Sequence, residues 1–261
     1  MSRIWTIAKR EFKSYFKSPI GWVLFAIYAL VSGFYYSLLL SYNYVDTSAV
    51  LNFMRGLFMV LIPIMTMRTF SSEKLNGTDF LYQTSPASTM QVVIGKYLGV
   101  SLMFLLISSV NLIYVMITLS FNGLVDIKYW GTLIAYILTG LAYIAIGLFA
   151  SALTTSQVIA AIISFVIFVS FEVFTSISQI IGSGVSSVIN FLDFTDAIPA
   201  ASEASIGKAV TAGLDWLNPA TKLAGFAKGT FDIVAIVYFI SMIILFLYVT
   251  AQINESSRWK Q

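Results

Sequence analysis

The 261-residue chain contains no cysteine and no histidine, and only 10% of its residues carry charge. The first two absences exclude disulfides, thiolate chemistry, haem or zinc sites of the usual kind, and any Ser-His or Cys-His catalytic pair. The scarcity of charge is equally restrictive. A soluble domain carries about 25% charged residues, so this chain cannot cover a water-facing surface. A phosphate-binding G-x-x-x-x-G-K-[ST] loop is also missing. Gly95-Lys96 is followed by Tyr97 and has no glycine-rich cradle before it, whereas a phosphate needs convergent backbone N–H groups, a Lys at a helix start and a hydroxyl for magnesium. The chain is therefore expected to be no enzyme, with no cofactor and no metal of its own. Its net charge of +3 gives no nucleic-acid signature.

What is present is apolar: 58% hydrophobic residues, 15% aromatic, and a mean hydropathy of +0.87. A helix needs roughly 20 apolar residues to cross about 30 Å of hydrocarbon. Six segments reach or approach that length, near 19–41, 51–68, 97–121, 129–153, 158–181 and 231–253. The expected fold class is all-α, a polytopic membrane protein built as a single transmembrane domain over 1–261. Arg55 and Pro63 interrupt the second span; Arg55 lies near an end and can snorkel, and neighbouring helices can satisfy the carbonyl freed by proline. A cleaved signal peptide is not expected, because the first apolar run exceeds the about 7–15 residues of such a segment and lacks a small-x-small site.

The basic residues set the orientation. Arg3, Lys9, Arg10, Lys13 and Lys17 precede the first span, Arg258 and Lys260 follow the last, and the loop 69–96 is bounded by Arg68 and Lys96. The loop from Tyr42 to Asn52 has Asp46 and neither Lys nor Arg. Both termini (1–18 and 254–261) and the loop 69–96 are thus expected in the cytoplasm, and the segment 182–230 outside.

Two polar stretches stand out at the cytoplasmic side. In residues 3–17, Ile4, Trp5, Ala8, Phe12, Tyr15 and Phe16 share a helical face while the basic residues fall mostly elsewhere, which predicts an amphipathic helix in the headgroup layer. Ser18-Pro19 ends it. In the loop, "SSEKLNGTDFLYQTSP" predicts Ser71 or Ser72 as a cap, a short helix through Leu75, a stop at Asn76-Gly77, and another turn before Pro86. That elbow displays Glu73, Lys74 and Asp79 around an apolar knuckle of Leu75, Phe80, Leu81 and Tyr82, which calls for a covering protein or lipid surface.

Inside the bilayer, Glu172 is the only acid well within a span. A charge there costs about 2.5–3.5 kcal/mol, so it faces a partner or a cavity, or carries a proton; a substrate-path role and a bystander role are both open. Asn111 is placed to hydrogen-bond another helix, and Gly140, Gly147 and Ser151 are read as close-packing points.

"PIMTMRTFSSEKLNGTDFLYQTSPASTMQVVIGKYLG" resembles the second-to-third-span signature of type-2 ABC transporter permeases: Pro63, Thr66, Met67 and Arg68, then Glu73, Gly77 and Thr78, a Ser-Pro, and Gly95-Lys96. "IAKREFKSYFKSPIGWV" is similar to that family's interface helix, "YIAIGLFASALTTSQVIAA" to its fourth and fifth spans, and the C-terminal block to the gliding-motility and nitrous-oxide-reductase maturation branch. The resemblance implies six spans and a coupling element docking on a separate ABC ATPase that holds ATP and Mg. It also implies a second permease subunit, identical or related, in the bacterial cytoplasmic membrane, with export as the default direction. By the same resemblance Glu73, Lys74, Gly77, Thr78 and Asp79 belong to the coupling loop, and Arg3, Arg10, Glu11 and Phe12 to the interface helix. Short re-entrant helices are implied within 182–230, with Val185, Val188, Ile189 and Leu192 in one and Ile206, Val210 and Leu214 in another. An ion-coupled transporter or channel would need more intramembrane charge and an internal repeat; a non-transporting assembly factor is the other alternative.

Overall fold

The computed structural model describes residues 2–42, 46–78, 87–121, 123, 125–192, 219–227, 229 and 232–256. Among them every regular element is helical: α1 Ser2–Lys17, α2 Pro19–Ser41, α3 Thr47–Gly56, α4 Phe58–Thr66, α5 Ser71–Leu75, α6 Thr89–Ser108, α7 Val110–Ser120, α8 Ile127–Leu153, α9 Gln157–Leu192, α10 Pro219–Lys222, α11 Ala224–Ala227 and α12 Ile233–Ser256. Five helical runs are long and apolar enough to cross a membrane (α2, α6 with α7, α8, the Gln157–Phe174 part of α9, and α12), and a sixth crossing follows if α3 and the segment Phe58–Leu75 count together. Those two are bent by 56° to each other. The bend falls at Leu57, after Gly56, and not at Pro63, which sits inside α4.

The chain forms two compact units, residues 1–165 with 226–261, and residues 166–225. In the latter, α9 runs on to Leu192. The expected end near 181 and the separate re-entrant helix at Val185–Leu192 are therefore corrected. Apolar length measures what a bilayer can cover, whereas the backbone ladder continues until a proline or a competing cap stops it, and 182–192 has no proline. The second expected helix, at Ile206, Val210 and Leu214, lies outside the described residues.

In the larger unit α8 is the central element. Of its apolar window 67% is buried, against 22% for α2 and for α12. Its sequence explains this, because small residues let neighbours approach closely. A Cβ at Gly140 would collide with the Phe104 ring, and one at Gly147 with Thr66. α3, α4, α6 and α12 all pack on α8.

The expected loop 69–96 is shorter than its limits suggest, because α6 begins at Thr89. Ser88 and Gln91 form a reciprocal cap, the Gln91 N–H donating to Ser88 Oγ and the Ser88 N–H to Gln91 Oε1, each at 3.3 Å. Lys96 consequently lies inside a helix. At the start of the chain, α1 does not rest on the bundle by one broad apolar face. Ile4, Ile7, Ala8, Glu11 and Tyr15 turn inward, while Trp5, grouped with them in the sequence reading, is 59% exposed. The inward face lies along α6, its principal neighbour. Gly95 and Gly99 make the groove: a Cβ at either would stand 2.8 Å from Ile7 Cβ or 2.6 Å from Glu11 Cβ.

Candidate functional site

The helix that ends at Thr66 and restarts at Ser71 leaves backbone groups without their ladder partners, and buried groups of that kind must be satisfied from elsewhere. Here side chains from three other helices supply the partners. Ser151 of α8 accepts from the N–H groups of Phe70 and Ser71 at 3.0 and 3.1 Å, and donates to the Met67 carbonyl at 3.1 Å. Lys96 of α6 donates to the Thr69 carbonyl. Tyr15 of α1 donates to the Met65 carbonyl at 2.6 Å. The elbow is thus a kink bonded to three helices through its own main chain.

Charge is laid over this frame. The Lys96 side chain is fully buried, its ammonium 2.5 Å from Glu73 Oε2 and 4.5 Å from the centroid of the Phe70 ring. The other Glu73 oxygen lies 3.7 Å from the Arg10 guanidinium of α1. Lys74 reaches the Ala152 carbonyl in the last turn of α8, where a cation offsets unpaired carbonyls and the negative end of the helix dipole. Arg68 donates to Ser18 Oγ at 3.3 Å, at the α1–α2 turn. A cleft of about 130 Å³ opens beside these groups, lined by Glu11, Ser14, Tyr15, Arg68, Thr69 and Glu73 among others. Burial pushes the Glu11 carboxyl above its ordinary range; Lys96 and the neighbouring guanidiniums oppose that rise and Glu73 adds to it. Burial, and then Glu11, likewise raise the Tyr15 phenol.

The sequence-assigned residues divide as follows. Glu73 and Lys74 lie in α5, Gly77 takes a left-handed φ of 64° just past its end, and the Thr78 N–H closes back on the Glu73 carbonyl at 2.9 Å. Neither Ser71 nor Ser72 caps α5; their hydroxyls donate back to the Met67 and Arg68 carbonyls. Asp79, Phe80, Leu81 and Tyr82 lie outside the described residues, and Leu75 is exposed. Arg3 and Arg10 are exposed on α1, while Glu11 and Phe12 are half-buried. Glu172 is exposed on α9.

Asn111 is buried far from the elbow, in an uncharged seam. Its amide donates to Tyr28 Oη at 2.5 Å, and Tyr28 and Tyr136 share a hydrogen bond of 2.7 Å. Ser32 and Tyr114 are joined at 2.7 Å, and Tyr36 and Thr118 at 2.9 Å. Beyond the far end of α2, Asp46 caps α3 and lies 3.4 Å from Lys128.

Sequence reading named Lys96, Ser151 and Tyr15 but gave none of them a role at the elbow. For Lys96 a signal existed, since it is the only charged residue between Thr89 and Ser120. Ser151, read as a packing point, is instead the hydrogen-bonding hub of the elbow. No local signal marks it, because its partners lie some 80 residues earlier in the chain.

The sequence profile described as ABC-2 family transporter protein matches residues 5–253. No curated protein matches the chain.

Proposed function

Since the chain belongs to the ABC-2 family of transporter proteins, we propose that it is the permease subunit of an ATP-driven transporter and that its elbow, residues 67–78, receives the thrust of a separate ABC ATPase. ATP and Mg reside on that ATPase; the permease contributes mechanical coupling and no covalent chemistry. It works beside a second permease subunit in a bacterial cytoplasmic membrane, with both termini and the elbow in the cytoplasm and with export as its direction. Within the family, the likeness of its C-terminal block to the gliding-motility and nitrous-oxide-reductase maturation permeases supports membership of that branch.

The observation that carries this reading is the bonding of one kink to three helices. A displaced surface loop would simply flex, because loops are tied by few buried contacts. Displacing this elbow must instead move α1, α6 and α8 or break the bonds from Tyr15, Lys96 and Ser151. The basic α1, with Arg3, Lys9, Arg10, Lys13 and Lys17 all exposed, supports a cytoplasmic position for the same end. The exposed Leu75 beside Glu73 and Lys74 supports a docking surface there.

Purification of the tagged chain from its native membrane should bring down a P-loop ATPase. The variant Glu73→Lys with Lys74→Glu should weaken that association or uncouple hydrolysis. Unaltered association and unaltered hydrolysis in the variant would overturn the coupling assignment. Recovery without any ATPase would favour the assembly-factor alternative.

A further inference from the structure

Two carboxyl groups stand around one buried ammonium, and the coupling reading uses only one of them. Glu73 holds Lys96 at 2.5 Å. Glu11 sits on the inward face of α1, its Cβ directly over Gly99, one helical turn beyond Lys96 on α6. It is half-buried and, among the described residues, has no hydrogen-bonding partner. An acid on a packing face is a costly choice unless it has a use, because an aliphatic residue would fill the Gly99 groove without desolvating a carboxyl.

The charges that face Glu11 define that use. From α6 it faces Lys96, from α5 Glu73, from the turn before α5 Arg68, and on its own helix Arg10, with Tyr15 one turn further along. Lys96 is the fully buried cation among them, and a buried ammonium cannot be left unpaired without heavy cost. Any movement that draws Glu73 away from Lys96 leaves the Thr69 carbonyl as a neutral acceptor only and so favours a second carboxylate. The groove geometry puts Glu11 in that place.

We propose that Lys96 is a two-position latch, held by Glu73 when the elbow is seated and taken over by Glu11 of α1 when the elbow is displaced. The latch takes its motive force from the coupling reading, but its chemistry belongs to this chain alone. In the seated position Glu11 is protonated, consistent with the burial that raises its pKa. On hand-over its proton leaves to water in the adjoining cleft, the carboxylate pairs with Lys96, and Glu73 keeps Arg10 as its partner. Acid thus favours the seated position, and rising pH eases release. Glu11 is in this sense a positioning residue: it touches no transported substrate and decides where the ammonium goes.

A double-mutant cycle on the purified full chain in detergent at neutral pH tests the latch by thermal unfolding. Glu73→Gln alone should lower Tm modestly, because Glu11 takes the ammonium, and that variant should lose further stability as acid protonates Glu11. Glu11→Gln alone should lower Tm little, with no such added acid sensitivity. The pair Glu73→Gln with Glu11→Gln should lose more than the sum of the single losses, by several degrees, because Lys96 then loses both of these carboxylates; neighbours that share a partner depart from additivity in this way. Strict additivity overturns the latch, even if Glu73→Lys with Lys74→Glu still uncouples an ATPase. Should the double variant fail to fold, adding Lys96→Met should restore folding by removing the buried charge, and failure to restore it also overturns the proposal.

Discussion

The larger unit contains two polar regions of opposite design. At the elbow, Lys96, Ser151 and Tyr15 bond to main-chain groups that a broken helix leaves open. In the seam, Tyr28, Tyr136, Asn111, Ser32 and Tyr114 bond to one another across helices, and Ser32 and Asn111 also donate to carbonyls of their own helical runs. The seam holds no charge; the elbow holds a fully buried lysine and the acid that neutralises it. Neutral hydroxyls have a small cost of exposure and a small gain from pairing, so they set how the helices pack. A buried ion pair penalises any half-broken state heavily, so it favours discrete positions over gradual deformation. The comparison suits the elbow to the coupling role proposed for it and the seam to packing.

Substitutions can break that assignment. The largest effect is expected from Gly99→Leu, which fills the groove under Glu11 and displaces α1. Overpacking of this kind costs about 1–3 kcal/mol, and ATPase association should fall with it, as co-purification and thermal unfolding would register. Ser151→Ala should follow. It leaves the Phe70 and Ser71 N–H groups unpaired at a cost of about 2 kcal/mol, and the expected signature is lower hydrolysis coupling together with lower Tm. Asn111→Leu sharpens the contrast: it removes a seam hydrogen bond worth about 1 kcal/mol and should lower Tm while leaving ATP-driven activity per folded molecule unchanged. If Asn111→Leu uncouples hydrolysis as strongly as Ser151→Ala, the two regions do not differ in role.

The smallest effect belongs to Asp46→Asn, outside both regions. Partial burial opposes ionisation of Asp46, but its bonds to Ser48 and the nearby Lys128 outweigh this and hold its pKa below the ordinary aspartate value. A depressed folded pKa contributes stability above the unfolded value and loses it as pH falls through the folded one. The wild-type advantage over Asp46→Asn should therefore be present at neutral pH, be under about 1 kcal/mol and shrink with salt, and vanish in acid. Urea or thermal unfolding across pH would measure it.

Much of the fold was legible from local chemistry. The first span was read as 19–41 and α2 runs Pro19–Ser41, because Ser18 caps it and proline at a first helical position is a strong local signal. The short helix through Leu75 with its stop at Asn76-Gly77 was legible for the same reason, Gly77 supplying the positive φ. Where several helices must meet, the sequence was less informative. The bend at Leu57 carries no proline, and the proline six residues later produces no comparable break. The apolar face of α1 was legible, but not that Trp5 on it stays exposed while Ala8 and Tyr15 are buried, because amphipathicity reports a division between apolar and polar and not which apolar residues meet protein. Lys96 looked like the edge of a loop because charge was taken to mark the membrane boundary; a lysine whose ammonium is met by a carbonyl, a carboxylate and an aromatic face can sit within a packed helix instead.

The 56° bend at Leu57 has a mechanical consequence. From Phe58 to Leu75 the chain is an arm of about 27 Å, at roughly 1.5 Å per residue, with the elbow at its tip and a joint at its root. Swinging such an arm by about 5° carries the tip through about 2 Å, enough to part Lys96 from Glu73. α3, on the far side of the joint, need not turn at all. Rotation can therefore be confined to the segment beyond the bend, so that motion at the elbow need not pass into α3.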